Sequence, residues 1–165
     1  MIEYRDATEK DTKELYLLFK RFFSLEPHFM SSFDPFIGKV ATDNGKIVGA
    51  VKLLSPDISY FEDWEVQYTA VYEAYQRQGI AEQLILQATK DIHGKIYGSA
   101  WRTWDNPTYA HIHSVCTKIG FKLVERGYKH WDAKHFCKSA DCLYVDNKDK
   151  PMCECWEDVY LWEKE

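Results

Sequence analysis

The chain has 165 residues, of which 45% are hydrophobic and 28% charged, as expected for a single globular domain. Its net charge of −5 argues against a nucleic-acid-binding surface. No apolar run approaches the ~18–20 residues of a membrane span, and the N-terminal MIEYRDATEK lacks the apolar core of a secretory signal. We therefore expect a cytoplasmic protein with reduced thiols and no membrane partner.

The chain order of predicted elements indicates an α/β domain. Seven strands are predicted from runs of β-forming residues: residues 2–5, 38–42, 46–54, 64–71, 95–101, 121–131 and 157–163. Three helices are predicted from apolar periodicity and end signals: from Thr8 to before Pro27, residues 79–92 and residues 106–119. Asn44-Gly45 predicts a tight hairpin because this dipeptide tolerates positive φ.

Residues 64–92 organise the chain, since they combine an alternating strand, a polar turn and an amphipathic helix. The strand-to-helix junction reads QRQGIA, with Gly79 and Ala81 as small residues in the first helical turn. Backbone amides there lack intrahelical partners, and the helix dipole favours an anion. Arg77 adds a positive charge. The pattern predicts an anion site, and it fits neither a Walker A loop nor a dinucleotide fingerprint.

The junction at residues 76–81 resembles the acetyl-CoA-binding motif of the GNAT family of N-acetyltransferases, Gln/Arg-x-x-Gly-x-Gly/Ala. A second match, the KIGF of residues 118–121, resembles the end of the family's second CoA-side motif. The resemblance covers residues 2–131 and 157–163. It implies a GNAT-like mixed, centrally antiparallel sheet with helices on both faces, and direct acetyl transfer from acetyl-CoA to a primary amine.

The resemblance also implies which residues bind acetyl-CoA. In the family, the pantetheine arm enters where the central strand separates from its neighbour, and the pyrophosphate binds the amides of the following helix. The implied cofactor-binding residues are Ala70, Val71, Gln76, Arg77, Gln78, Gly79, Ile80, Ala81 and Glu82.

Glu65 is the candidate general base. It lies 11 residues before Gln76, an offset similar to that of the catalytic glutamate in histone-acetylating family members. Period-two alternation predicts that it shares a face with Gln67, Thr69 and Val71. A carboxylate in an apolar cleft has a raised pKa, which suits a base. The alternatives are a solvent-facing glutamate paired with a lysine, and proton relay through water.

Cys116 is the candidate acid for the leaving thiolate. Many family members carry a tyrosine four residues before the glycine that ends this helix, and here that position, counted from Gly120, is Cys116. A thiol with a reference pKa of about 8.5 can protonate a thiolate. Tyr109, Tyr97 or water are alternatives. A Cys116–His113 nucleophile would instead make the protein a thiol enzyme.

The segment 132–156 falls outside the resemblance and reads as a Cys-rich insertion before the last strand, within a single domain of residues 1–165. The predicted metal ligands are Cys137, Cys142, Cys153 and Cys155, which can converge on one tetrahedral structural Zn²⁺. His135 is a substitute ligand. Unliganded thiols and redox or disulfide chemistry are the alternatives.

The predicted function is an acetyl-CoA-dependent N-acetyltransferase with a small-molecule or peptide amine as partner. The sequence does not identify the acceptor, and the oligomeric state is open, with a homodimer as one alternative. The main rival function is a non-catalytic GNAT-fold protein that binds CoA, or acts as an interaction protein through its Cys module.

We expect a tag-free preparation of the full chain to contain about one zinc ion per chain, since four thiolates form a closed tetrahedral site. Elemental analysis measures the content, and Cys153→Ser combined with Cys155→Ser should remove the metal. A zinc-free parent protein would contradict the four-cysteine site.

Overall fold

A computed structural model describes residues 1–23, 37–102, 112–128 and 156–165 of the chain. Seven strands lie in these ranges: β1 (Ile2–Asp6), β2 (Ile37–Asp43), β3 (Lys46–Leu54), β4 (Trp64–Val71), β5 (Gly94–Arg102), β6 (Lys122–Tyr128) and β7 (Trp156–Lys164). The α-helices there are α1 (Thr12–Phe23), α2 (Ile80–Ala88) and α3 (His113–Ile119). None of the described helices is long and apolar enough to cross a membrane.

The predicted strands are confirmed within the described ranges, with small differences at their ends; residues 129–131 of the predicted strand 121–131 lie outside those ranges. The hairpin between β2 and β3 turns at Asn44 and Gly45, with φ of 50° and 78°, as the dipeptide predicts. Helix α2 is shorter than predicted: it ends at Ala88, because the backbone of Thr89, with φ of −101° and ψ of 3°, leaves helical geometry. The predicted start of the last helix lies outside the described residues, which resume at residue 112.

The seven strands form one sheet in the order β1-β2-β3-β4-β5-β7-β6. Every neighbouring pair in it is antiparallel except β4 with β5, which run parallel. The predicted mixed sheet is confirmed and is mostly antiparallel, but the parallel pair β4–β5 lies in the centre that was predicted to be antiparallel. The predicted Cys-rich insertion lies outside the described residues.

The parallel pair β4–β5 separates after three residue pairs. Trp64, Glu65 and Val66 pair with residues 96–98, but the rest of β4 pairs only with β3, and the rest of β5 only with β7. The sheet therefore opens between residues 67–71 and residues 99–102, and this opening is called the gap below. A β-bulge at Gln67 lies where the two strands part, and bulges bend and twist a strand locally.

Two apolar clusters cover the two faces of the sheet. The cluster under α2 and α3 includes Val48, Val51, Leu53, Val66, Leu84, Ile85, Ile96, Cys116, Phe121 and Tyr160. The cluster under α1 consists of Leu15, Leu18, Phe19, Val40, Ile47, Ala50 and Ala70. Gly49 of β3 lets α2 approach closely, because a Cβ there would lie 3.1 Å from the Ala70 carbonyl and 3.3 Å from Leu84.

The start of α1 is held by a buried carboxylate. Arg5 donates two hydrogen bonds to Asp11, at 2.7 and 2.8 Å, and the Thr8 backbone N–H donates a third at 2.8 Å. These contacts, led by the Arg5 hydrogen bond, lower the pKa of Asp11 from 3.8 to about 2. The helix start predicted from Thr8 and Asp11 is confirmed, with a short 3-10 turn at Glu9–Asp11 before α1.

Asp11→Asn should destabilise the fold by about 1–2 kcal/mol near neutral pH, a value discounted for the half-exposed Arg5. Because the folded-state pKa of Asp11 is depressed, its contribution is present above about pH 4 and disappears as pH falls toward about 2. Urea unfolding at pH 7 and pH 2.5 measures the difference. Glu3→Gln, an exposed change on β1, is the control. An equal effect of Asp11→Asn at both pH values would contradict this role.

Candidate functional site

The turn between β4 and α2 has an unusual backbone that exposes its amides. Arg77 and Gly79 have positive φ, 62° and 77°, and residues 76–79 are all exposed. Two glutamine side chains fix the turn from within: Gln76 Nε2 donates to the Val71 carbonyl at 2.9 Å, and Gln78 Nε2 donates to the Ala74 carbonyl at 3.2 Å. The turn is therefore held in place before any ligand arrives.

The backbone N–H groups of residues 77–82 form a cluster of donors. None of them donates to a backbone or side-chain acceptor within the described ranges, and the first helical bond runs from Gln83 N–H to the Gly79 carbonyl. A Cβ on Gly79 would meet nothing within 4 Å, so the space above the turn is open. Such helix starts bind anions. The predicted anion site therefore has the geometry it needs, and this turn is called the amide cradle.

Charges around the amide cradle favour a strong anion. Arg77 is exposed beside it, while Glu82, in the first turn of α2, accepts a 2.6 Å ion pair from Lys118 of α3. This pairing offsets a carboxylate that would repel a bound phosphate. Lys118 begins the second matched motif and Glu82 directly follows the first, so the ion pair brings the two motifs near each other.

The gap begins next to the amide cradle. Ala70 and Val71, at the end of β4, are buried and have β3 on one side and the gap on the other. Gln67 Oε1 and Thr69 Oγ1 are also buried on this part of β4 and have no hydrogen-bond partner among the described residues. Buried polar atoms without partners are costly, so these two oxygens are candidates to accept hydrogen bonds from a ligand.

Glu65 lies buried at the closed end of the gap, with only 6% of its surface exposed. Ser59 Oγ donates to Glu65 Oε2 at 2.9 Å and accepts the Phe61 N–H at 3.1 Å, so its own proton is directed to the carboxylate. Burial raises the pKa of Glu65, while hydrogen bonds from Ser59 and the Tyr60 backbone oppose the rise. The predicted buried environment of Glu65 is thus present, and its alternative as a solvent-facing residue is wrong.

The prediction that Glu65 shares a face of β4 with Val71 is wrong, however. The bulge at Gln67 changes the alternation, because Lys52 pairs with Tyr68 and Leu53 pairs with Val66, which leaves Gln67 as an extra residue. Glu65 therefore lies on the α1 face with Tyr68, whereas Val71 lies on the face of α2 and α3. Burial, aided by the charge of Glu65, raises the pKa of Tyr68 to about 12.

Cys116 lies on α3 and packs into the apolar cluster under α2 and α3. It is 6% exposed, and burial raises the pKa of its thiol to about 12. Such a thiol is a weaker acid than an ordinary thiol and holds its proton too tightly to act as a nucleophile. The role of Cys116 stays a prediction, and its burial opposes both the acid and the nucleophile. His113 Nδ1 lies 3.0 Å from the Tyr160 hydroxyl.

Ser59, which holds the Glu65 carboxylate, carries no pattern that marks it in the sequence. It lies in the turn before β4. The predicted zinc ligands at 137, 142, 153 and 155 lie outside the described residues. Within the described ranges, no three His, Cys, Asp or Glu side chains are grouped to hold a metal ion.

Comparison with protein families decides the assignment. The profile of the acetyltransferase (GNAT) domain matches residues 34–123, more than half of the chain. The chain belongs to the GNAT acetyltransferase family. Among curated proteins, none matches the chain in sequence.

Solved GNAT structures share the fold over nearly the whole chain. A Bacillus subtilis acetyltransferase in complex with CoA has a TM-score of 0.70 at 18% identity, covering 100% of this chain and 99% of that one. An Elizabethkingia anophelis GNAT acetyltransferase with acetyl-CoA bound has a TM-score of 0.66 at 22% identity, covering 98% and 97%. The Escherichia coli ribosomal-protein-S18-alanine N-acetyltransferase has a TM-score of 0.68 at 14% identity, covering 98% and 92%.

Arg77→Glu should weaken CoA binding by about tenfold or more, equivalent to about 1.4 kcal/mol, because it places a negative charge beside a bound diphosphate. Isothermal calorimetry with CoA measures the affinity. Lys10→Glu, the same charge change on the exposed turn before α1, is the control. Unchanged affinity in Arg77→Glu would remove the amide cradle as the diphosphate site.

Proposed function

We propose that this GNAT protein is an N-acetyltransferase that transfers an acetyl group directly from acetyl-CoA to a primary amine. The observation that carries the proposal is the gap between β4 and β5, which opens beside the amide cradle. The cradle supplies donors for a diphosphate, and the gap supplies an unpaired strand edge for an arm that carries a thioester. The two features are adjacent because the turn before α2 follows the end of β4 and is joined to it by the hydrogen bond from Gln76 to the Val71 carbonyl.

The residues of the gap and cradle fit acetyl-CoA. The exposed amides of residues 77–82 would bind the diphosphate together with Arg77. The β4 edge at Ala70 and Val71 would bind the pantetheine arm, whose amide groups can also reach the buried Gln67 and Thr69 oxygens. Gln76 acts indirectly, since its side chain joins the cradle to the Val71 carbonyl. Acetyl-CoA supplies the activated acetyl group when bound.

Glu65 is the proposed general base. Its carboxylate lies at the closed end of the gap on the α1 face, and burial raises its pKa toward the range in which a carboxylate accepts a proton usefully near neutral pH. Ser59 holds the carboxylate in one orientation. Glu65 would take the proton that the amine loses as its nitrogen attacks the acetyl carbon.

The acceptor is proposed to be an amine of a small molecule or a peptide. One structural relative is named for acetylating the alanine of ribosomal protein S18, so peptide N-termini belong in the first substrate panel. The chain's net charge of −5 is compatible with a cationic amine. Incubation of the full chain with acetyl-CoA and a panel of peptides, polyamines and small amines tests the function, with thiol release as the measurement.

A non-catalytic CoA-binding protein is the second candidate, and the burial of Cys116 at the position of the family's tyrosine favours it. CoA binding measured by native mass spectrometry, with no thiol release on any amine, would support this candidate over the enzyme. Thiol release that depends on an amine would exclude it.

We also propose that Cys137, Cys142, Cys153 and Cys155 bind one structural zinc ion.

Glu65→Gln should lower kcat by about 10²-fold or more, because a positioned base typically contributes that much. In the parent enzyme, kcat should fall as the pH is lowered, because the base must be unprotonated. The apparent pKa of this acidic limb should lie above the 4.5 of an ordinary glutamate. Ser59→Ala should move this limb to still higher pH, because it removes a hydrogen bond that lowers the pKa of Glu65.

Glu62→Gln, a neutralising change at an exposed position of the same turn, is the matched control for these two variants. The pH profile of kcat under saturating acetyl-CoA separates a base from a structural carboxylate. A Glu65→Gln enzyme with the parent kcat would remove Glu65 from the mechanism.

A further inference from the structure

The bulge in β4 places two polar side chains on one face of the sheet. Glu65 and Tyr68 are three residues apart, a spacing that puts side chains on opposite faces of a regular strand. In β3, the partners of these two residues are Leu54 and Lys52, which are two apart and share a face. Glu65 and Tyr68 therefore both lie on the α1 face, Glu65 at the closed end of the gap and Tyr68 beside its opening.

The Tyr68 ring is held in one orientation by α1. Its centroid lies 5.0 Å from that of Phe23 and 5.7 Å from that of Phe19. The Tyr68 hydroxyl makes no hydrogen bond within the described ranges. Unlike the unpaired oxygens of Gln67 and Thr69, it is not fully buried, so a ligand can reach it. The fold thus presents a fixed hydroxyl on the face that carries the proposed base.

This face has a hydrogen-bond acceptor at one place and donors at another. The phenol of Tyr68 stays protonated near neutral pH, because burial, aided by the charge of Glu65, raises its pKa to about 12. Lys52, which pairs with Tyr68 and is also buried, carries further donors, and burial lowers its pKa. The Glu65 carboxylate accepts hydrogen bonds, whereas the groups on the Tyr68 side donate them.

An amine that is next to a carbonyl group matches this arrangement. Its nitrogen carries the protons that a carboxylate accepts, and its carbonyl oxygen accepts a hydrogen bond from a phenol. Alkylamines, polyamines and the side-chain amine of lysine have no acceptor atom next to the nitrogen. When bound with the nitrogen at Glu65, such amines would leave the Tyr68 hydroxyl without a partner.

We propose that Tyr68 selects acceptors whose amine is next to a carbonyl group, as in an α-amino acid or at the N-terminus of a peptide. This inference rests on the proposed acetyl transfer and names its acceptor class. The Tyr68 hydroxyl donates a hydrogen bond to the carbonyl oxygen, which holds the neighbouring nitrogen beside the Glu65 carboxylate. The phenolic proton stays on Tyr68 throughout, so this residue determines specificity and takes no part in proton transfer.

Two small acceptors of similar shape test the selectivity of the parent protein. Alaninamide and isopropylamine both carry the amine on a carbon with a methyl group, but only alaninamide has a carbonyl. At equal concentrations of the uncharged amine, kcat/KM should be about tenfold higher for alaninamide, which corresponds to about 1.4 kcal/mol. Equal values, or a preference for isopropylamine, would overturn the inference without the need for any variant.

Tyr68→Phe removes the donor and keeps the ring that packs against Phe19 and Phe23. It should lower kcat/KM for alaninamide by about tenfold, mainly through KM, and leave kcat/KM for isopropylamine and KM for acetyl-CoA unchanged. Taking the ratio of parent to variant for each amine removes the difference between the two amines in basicity. Tyr4→Phe, at a half-buried tyrosine of β1 on the far edge of the sheet, is the control and should change neither value.

A hydroxyl with only a structural role would affect both amines alike. Thermal unfolding verifies that the Tyr68→Phe protein is folded. An equal loss for alaninamide and isopropylamine, or no loss for either, would therefore overturn the inference.

Alanine and an alanyl peptide distinguish the two sources of the carbonyl, since alanine has a free carboxylate there and the peptide has an amide. The tenfold loss in Tyr68→Phe should appear with whichever of them the parent protein acetylates. A parent protein that acetylates alkylamines but fails these tests would keep the proposed function and lose this inference. A parent protein that releases no thiol with any amine would refute the function itself.

Discussion

The site depends on one incomplete pairing between two parallel strands. β4 bonds to β3 along most of its length, but it bonds to β5 over only three residue pairs. Backbone groups that a continuous sheet would have satisfied are left along an edge, and they can be satisfied by a ligand that lies in the gap. The fold tolerates this because β5 is held over its whole length by β7. The rest of the sheet therefore stays ordered on both sides of the opening.

The bulge at Gln67 gives the two faces of the gap different chemistry. It moves Glu65 to the α1 face, while Val66 and Trp64 remain in the cluster under α2 and α3. Burial then has opposite consequences for the two predicted catalytic residues. It raises the pKa of Glu65 toward the range of a useful base, and it raises the pKa of Cys116 to about 12, where a thiol holds its proton.

The sequence predicted the features that depend on local chemistry. The strand positions, the Asn44-Gly45 hairpin and the exposed amides after Gln76 follow from periodicity, turn residues and small residues at a helix start. The bulge at Gln67 could not be predicted, because the pairing of β4 with β3 determines its position. The sequence around Gln67 carries no signal for an extra residue in the strand. Ser59 was missed for the same reason: its contact with Glu65 is set by the fold of the turn before β4.

The hydrogen bond from Gln76 to the Val71 carbonyl joins the turn that would bind a diphosphate to the end of the strand that would bind a thioester arm. It fixes the spacing between these two places. In the proposed acetyl transfer, this fixed spacing would set the length of arm that brings an acyl carbon close to the carboxylate at the closed end. Discrimination among donors would then depend on the length of the carrier arm, independently of the group it carries.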